Sequence, residues 1–350
     1  MRHSIVPPYL LARLAQLEGD GLQRVAEAAR RALVADEPFR YSRLDVSLSP
    51  TGDLELELTS DGPVRTIADA HGRETLPGTI VRREGDDPAA DRSVNEAYDG
   101  LGATWDLFHD VYGRNSIDGR GLPLDASVHY GRDYDNAFWN GERMVFGDGD
   151  GEVFASFTAA ASVIGHELTH GVTQYTAGLT YQGQSGALNE SISDVFGVLV
   201  EQYARRQSVS AATWLIGEGI FTAKVHGRAL RSMKAPGTAY DDDVLGKDPQ
   251  PAHMRDYVET TDDFGGVHLN SGIPNRAFYL VAEALGGNAW EHAGQVWYDT
   301  ITGTLSPSAS FTDFAKATVV AAKSRYGEDS SVSTAVAGGW TGVGVGPLDE

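Results

Sequence analysis

Cysteine is absent from the chain. No disulfide framework therefore supports its stability, and the absence by itself does not separate cytosol from exterior. Long apolar runs are also missing: nothing approaches the ~18 consecutive apolar residues that a membrane-spanning helix needs. Basic residues are scarce beside acidic ones, 28 against 49, which leaves a formal net charge of −21. That balance argues against a nucleic-acid partner and serves solubility. A conventional signal peptide is missing too. The apolar stretch near Met1 is broken by Pro7, Pro8 and Arg13, so cytoplasmic synthesis is expected, with any release following a non-classical route. There is no internal repeat and no long linker. The 350 residues suffice for two or three packed units with a real core.

What is present centres on His166-Glu167-Leu168-Thr169-His170. Two histidines four residues apart lie on one face of a helix, one turn apart. The residues before them, Phe157 to Ile164, are mostly Ala, Val, Ile and Phe and read as a buried helical turn. Two neutral imidazoles on a buried helix can hold Zn²⁺ at two tetrahedral corners. Glu167, beside the first histidine, can take a proton from water without ligating the metal. The other reading of the pattern is a pair of core histidines satisfied by hydrogen bonds.

A catalytic zinc site needs a third protein ligand and an open position. Gly178 to Leu188 is glycine-rich and polar and reads as a loop; Asn189 to Val200 then has helical periodicity. Glu190 and Asp194 share one face of that helix. Two antiparallel helices joined by the loop bring Glu190 to the metal as third ligand. Asp194 can then accept the spare N–H of a ligating histidine, which fixes the tautomer and raises ligand basicity. The extended motif that carries a third histidine requires Gly at 173 and His at 176, where this chain has Thr173 and Thr176.

His166 to His170 followed by Gly186-Ala187-Leu188-Asn189-Glu190-Ser191-Ile192-Ser193-Asp194 resembles the thermolysin-like neutral metallopeptidases. The likeness runs from about Ser93 to the C-terminus. The opening Pro7-Pro8-Tyr9-Leu10 resembles the start of the short propeptide in the protealysin-type branch. The resemblance implies an α+β, two-lobed zincin: a β-rich N-terminal lobe, a helical C-terminal lobe, and the active-site helix between them. It divides the chain into a propeptide (1–62), an N-terminal lobe with the zinc helices (63–205) and a C-terminal lobe (206–350).

The first 62 residues read as two short helices (Leu10 to Leu17, Leu22 to Leu33) and a β-hairpin (Asp45 to Leu58) about Pro50-Thr51-Gly52-Asp53. By resemblance they form an autoinhibitory unit removed by self-cleavage. Ser93 to Tyr112 reads as a helix. Asn140-Gly141 marks a hairpin turn between Ala137-Phe138-Trp139 and Arg143-Met144-Val145-Phe146. Gly147 to Gly151 is a tight glycine turn, since the distal Glu of a calcium loop is missing.

The family pattern matches residue by residue at further positions. Asn136 and Ala137 belong to the edge strand that holds an extended substrate by its backbone. Phe154, Phe157, Val163, Ile216, Ile220 and Leu230 line the pocket after the scissile bond, favouring a large hydrophobic residue there. Arg231, in Leu230-Arg231-Ser232-Met233, supports the zinc-ligand region and the substrate carbonyl. Tyr181 and His268, the latter oriented by Asp263, stabilise the oxyanion. The implied activity is zinc-dependent endopeptidase action on peptides and proteins, using one catalytic ion, by a monomer inhibited by its own propeptide. A silent zinc-binding module of the same fold would be expected to have lost a ligand or the base, and none is lost.

Larger secreted members carry a double calcium site. Here Glu201 and Glu218 match two of its positions, while Ser162, Thr213 and Leu215 stand where acids would be. Two carboxylates are too few for ions that take six to eight oxygens each. A melting curve titrated with calcium should therefore stay put, and a rise of many degrees would contradict this depletion.

Overall fold

The computed structural model describes residues 3–19, 21–41 and 62–346, the side chains of 3 and 36–41 excepted. The hairpin expected at Asp45 to Leu58 lies outside the described residues. Among those described, no helix is long and apolar enough to cross a membrane.

The N-terminal segment forms a short strand, β1 (His3–Ser4), then α1 (Pro8–Leu14) and α2 (Gln23–Tyr41). Pro7 caps α1 and Pro8 opens it, the position where a missing N–H costs nothing. Leu10, Leu11 and Leu14 turn their apolar face inward and are buried. Helix α2 runs further than the apolar spacing to Leu33 suggested.

The N-terminal lobe is built on β2 (Arg65–Asp69), β3 (Thr79–Arg83), α3 (Arg92–Asp106), β4 (Leu124–Val128), β5 (Ala137–Trp139) and β6 (Met144–Phe146). The sheet order is β1-β5-β6-β4-β2-β3. Strand β2 runs parallel to β4, and β4 parallel to β6; the other pairs are antiparallel. Strand β5 is thus an edge of the lobe's own sheet, yet its outer side is paired with the chain's N-terminus, Ser4 opposite Phe138. Helix α3 buries Val94, Ala97, Leu101 and Trp105. It does not continue as α-helix to Tyr112; Leu107–Val111 is a π-helical turn, a single wider turn at the helix end.

Helices α4 (Ala161–Gln174) and α5 (Gly183–Arg205) form an antiparallel pair buried along most of their length. Their closest approach is made by glycines. A Cβ on Gly197 would lie 2.5 Å from the Ser162 carbonyl oxygen, and one on Gly165 3.0 Å from Val200. Only hydrogen side chains let the two backbones come this near.

The C-terminal lobe begins with two small sheets, β7 (Leu215–Ile216) with β8 (Arg231–Ser232) and β9 (Asp241–Asp242) with β10 (Gly246–Lys247). It ends in helices α6 (Asp263–Asn270), α7 (Gly272–Leu285), α8 (Ala293–Thr302), α9 (Phe311–Tyr326) and α10 (Ser331–Gly342). Trp297, Phe314 and Trp340 pack together at its centre. Mixed α and β architecture, with a sheet-based lobe followed by a helical one, agrees with the expected fold.

One link within the N-terminal lobe responds to pH. His129, at the end of β4, sits between two carboxylates: Asp148 at Nδ1 (2.9 Å) and Asp91, the cap of α3, at Nε2 (3.0 Å). Hydrogen bonding to Asp148 outweighs partial burial, and with Asp91 raises the imidazole to about 9. A raised histidine contributes stability that is complete below its unfolded value, near 6.5, and lost as pH rises through the folded value. His129→Gln should therefore lower the melting temperature at about pH 6 and converge on the wild type above about pH 9. Thermal scans across that range check it, and a difference independent of pH would refute it.

Candidate metal centre

Burial of α4 leaves its histidines no water to bond, so each ring nitrogen must find a protein partner or a ligand. His166 and His170 are 0% and 1% exposed. The Nδ1 atoms are taken. His166 Nδ1 lies 2.8 Å from Asp194 Oδ1; His170 Nδ1 lies 2.8 Å from Asn189 Oδ1 and 3.0 Å from Ser193 Oγ. A carboxylate and an amide oxygen can only accept, so both Nδ1 atoms carry the proton and both Nε2 atoms present lone pairs.

Those lone pairs face each other, 3.0 Å apart. Glu190 closes the triangle, 3.5 Å from His166 Nε2 and 3.5 Å from His170 Nε2, and its Oε2 accepts no hydrogen bond. Two imidazole lone pairs and a carboxylate converging on one point repel unless a cation sits between them. Among the described residues these three are the only group of His, Asp and Glu able to hold a metal ion. Two nitrogens and one carboxylate oxygen with a remaining open side is the donor set of catalytic Zn²⁺.

Glu167 is fully buried and its Oε2 accepts the Trp139 backbone N–H at 3.0 Å, so its carboxylate is held between the metal helix and β5. Tyr181 Oη donates to Glu190 and lies 3.3 Å from His268 Nε2. His268 reaches this side because of unusual backbone. Asp263, Phe264, Gly265 and Gly266 all have positive φ, so α6 begins with a kink. That curl returns the Asp263 carboxylate to the His268 N–H (2.8 Å) and Nδ1 (2.7 Å). Burial lowers the His268 imidazole, but Asp263 and Glu190 overcome it, and the net shift is upward.

Asp194 gathers four donors: His166, both Nε (2.8 Å) and Nη2 (2.7 Å) of Arg231, and Asn275 Nδ2 on α7 (2.8 Å). Burial works to raise its carboxyl; the Arg231 guanidinium and His166 overcome this and hold it far below the usual range.

The six apolar positions expected to form one pocket come from four segments that meet. Ile216 pairs with Arg231, Leu230 N–H bonds the Ile216 carbonyl, and Ala155 N–H bonds the Ile220 carbonyl. The Phe154 and Phe157 rings lie 5.4 Å apart. All six are at most 1% exposed.

The approach to the centre is filled by the chain's own N-terminus. Ile5 N–H donates to the Ala137 carbonyl (3.2 Å), Val6 N–H to Asn136 Oδ1 (3.0 Å), and Arg231 Nη1 to the Ile5 carbonyl (3.0 Å). The Ser4 carbonyl lies 3.3 Å from His268 Nε2. Tyr181 thus contacts the triad, and His268, Arg231, Asn136 and Ala137 contact the N-terminal segment that fills its approach. Asn189, Ser193 and Asn275 were not anticipated; the first two carry the same four-residue spacing as Glu190 and Asp194, one position earlier, which could have signalled a second orienting face. Glu201, one of the two acids at the positions of the expected calcium site, pairs with Arg205 at 2.6 Å.

Comparison with known proteins agrees with this geometry. Residues 42–174 match a family model described as the thermolysin metallopeptidase catalytic domain, and 177–345 its alpha-helical domain. The chain is 50% identical to an extracellular metalloprotease of Pectobacterium carotovorum subsp. carotovorum, over 98% of this chain and 96% of the relative. It is 45% identical to protease PrtS of a Photorhabdus strain, over 99% and 93%. A solved structure of the precursor of protealysin, a metalloproteinase from Serratia proteamaculans, superimposes with a TM-score of 0.88 at 50% identity, covering 98% of this chain and all of that one.

Because the Nδ1 acceptors fix which nitrogen faces the metal, Asn189→Ala should weaken zinc binding by about tenfold to a hundredfold while the three ligands remain. Competition with a chromogenic chelator measures this, and an unchanged affinity would show that Ser193 alone suffices.

Proposed function

The chain belongs to the thermolysin family of metallopeptidases, and from that premise we propose that it is made as a latent zinc endopeptidase, closed by its own N-terminal segment and selective for large hydrophobic residues after the cut bond. The observation that carries the reading is the backbone pairing of Ile5 and Val6. Two N–H groups on Ala137 and Asn136 and one carbonyl on Arg231 are the contacts an extended peptide would make if added to β5. In that register the Ser4–Ile5 bond stands where a substrate's scissile bond would stand, and Ile5, 0% exposed, takes the position after it.

His166, His170 and Glu190 would hold Zn²⁺, which when bound would supply Lewis-acid polarisation of the scissile carbonyl and lower the pKa of the attacking water. The chain's own groups do the rest. Glu167, held by the Trp139 N–H, accepts the water proton and passes it to the leaving amine nitrogen. Tyr181 and His268 aim their donors at the oxygen that becomes negative. Asp263 keeps the His268 Nε2–H directed there. Arg231, locked by Asp194, orients the substrate carbonyl after the cut. An apolar pocket of this kind favours a large side chain over a smaller one by about 1–3 kcal/mol.

The N-terminal unit touches both lobes. Arg13 donates to the Asp243 and Val244 carbonyls, and Arg24 and Arg31 pair with Asp133. The proposed boundary near Gly62 is further along than residue 42, where the catalytic-domain match begins, so the new N-terminus must be read directly.

Mass spectrometry of the full-length chain over time with zinc, beside Glu167→Gln, tests the reading. The wild type should lose an N-terminal stretch and then cut peptides before Leu or Phe. Glu167→Gln should stay intact with zinc bound. If both stay intact and a trace of added active protease releases no activity, the latent-enzyme reading fails.

A further inference from the structure

Helix α4 starts without help from the residue before it: Ala160 offers no capping side chain. The first N–H groups of a helix have no partner inside it and must find one elsewhere. Here an acceptor comes from α5. The N–H and the hydroxyl of Ser162 both turn to the carboxyl of Glu201, and Arg205 pairs with the same group at 2.6 Å. An acid also suits the positive end of a helix.

The Ser162 oxygen is used a second time. The Gly217 N–H donates to it at 3.2 Å. Ser162 is 0% exposed, and Gly217 is buried with φ +72°, a conformation that glycine adopts without strain. One hydroxyl thus joins the first turn of α4 to the turn that follows β7. Its own end is anchored, because the Ser162 carbonyl packs on α5 at Gly197, where a Cβ would come within 2.5 Å.

Both ends of this link belong to the wall of the apolar pocket. Ser162 precedes Val163, and Gly217 follows Ile216. Gly217 is itself packed on two more pocket residues: a Cβ there would lie 3.0 Å from Ile220 Cδ1 and 3.4 Å from Leu230. Its carbonyl also accepts the Ile220 N–H at 3.4 Å. The separation of the metal helix from Ile216, Ile220 and Leu230 therefore passes through a single hydrogen bond.

We propose that Ser162 is a positioning residue for specificity: its hydroxyl holds the Gly217 turn at one distance from α4 and so fixes the width of the pocket that receives the residue after the cut bond. The proposal rests on the reading of Val163, Ile216, Ile220 and Leu230 as that pocket. Without the hydroxyl, the buried Gly217 N–H loses its acceptor, and the turn shifts until it finds another. The pocket then fits a large side chain less closely. The contacts of His166 and His170, one and two turns further along α4, do not involve this hydroxyl.

The test compares Ser162→Ala with the wild type, both as processed enzyme, on peptides that differ only in the residue after the cut bond. The kcat/KM ratio of Leu over Ala should fall about threefold to tenfold. A loss of folded protein cannot imitate this, since it lowers every substrate alike. Thr318→Val supplies the control. It removes the hydroxyl that accepts the Trp340 Nε1–H at 2.9 Å in the C-terminal lobe, and should lower the melting temperature with the ratio unchanged. Zinc affinity of Ser162→Ala, read by chelator competition, should stay that of the wild type. In full-length Glu167→Gln chain, amide hydrogen exchange of residues 215–221 should quicken when Ser162→Ala is added. If Ser162→Ala does not fold, Ser162→Cys, whose sulfur accepts only weakly, takes its place with the same expected fall.

A Leu-to-Ala ratio that survives the substitution, with only the melting temperature lowered, makes Ser162 structural and overturns the proposal. A ratio that changes together with a loss of zinc overturns it too, because the effect then runs through the metal centre. Unchanged exchange at 215–221 removes the link itself. A wild type that cuts peptides while its selectivity ignores Ser162 fails this proposal alone. A wild type that cuts no peptide fails the endopeptidase reading, and the pocket role falls with it.

Discussion

The active centre depends on how closely α4 and α5 can approach. Ser162, Gly165, His166, Thr169 and His170 form one seam of α4, and Glu190, Asp194 and Gly197 one seam of α5. The seams meet where the side chains vanish: a Cβ on Gly197 would also lie 3.2 Å from the His166 Cβ. With any larger residue the helices would part, and the carboxylate of Glu190 would withdraw from the two Nε2 atoms. Metal affinity is thus a packing property before it is a coordination property. Three ligands on buried, closely packed helices are held in place by the packing of those helices.

Asp194 extends that constraint to the rest of the molecule. It is one carboxylate shared by a metal ligand on α4, the Arg231 guanidinium on β8 and Asn275 on α7. The orientation of the His166 imidazole and the reach of Arg231 toward the Ile5 carbonyl therefore cannot be adjusted independently. A buried ion pair is weak evidence for stability, since desolvation offsets attraction, but removing one partner typically costs about 3–5 kcal/mol because the other charge is stranded. That asymmetry explains why a single acid can couple metal, substrate carbonyl and C-terminal lobe: each of its donors is costly to leave alone.

The parts legible in the sequence are those set by helical periodicity. His166, His170, Glu190 and Asp194 follow from four-residue spacing on two helices, and the hairpin at Asn140-Gly141 from turn chemistry. What spacing alone did not carry depends on chain geometry far from regular periodicity, and the Asp263–His268 pairing was expected only through the family resemblance. Asp263 reaches His268 only because four successive residues adopt positive φ, and no periodicity encodes that. Strand β5 reads as an open edge, whereas β1, more than 130 residues away in the chain, pairs with it.

The same pairing bears on how a segment resembling substrate could act as an inhibitor. Residues that make a substrate's contacts within one chain act at an effective concentration set by the chain that joins them rather than by free peptide. Pro7 and Pro8 stiffen the exit from the cleft, so less entropy is lost when Ile5 and Val6 bind. The ion pairs at Arg24 and Arg31 involve side chains 56% and 46% exposed, and pairs of that kind contribute about 0–1 kcal/mol each. The hold must therefore come from apolar burial at Ile5, Val6, Leu10, Leu11 and Leu14, all at most 1% exposed. Apolar burial over so small a unit is strong when tethered and modest when free.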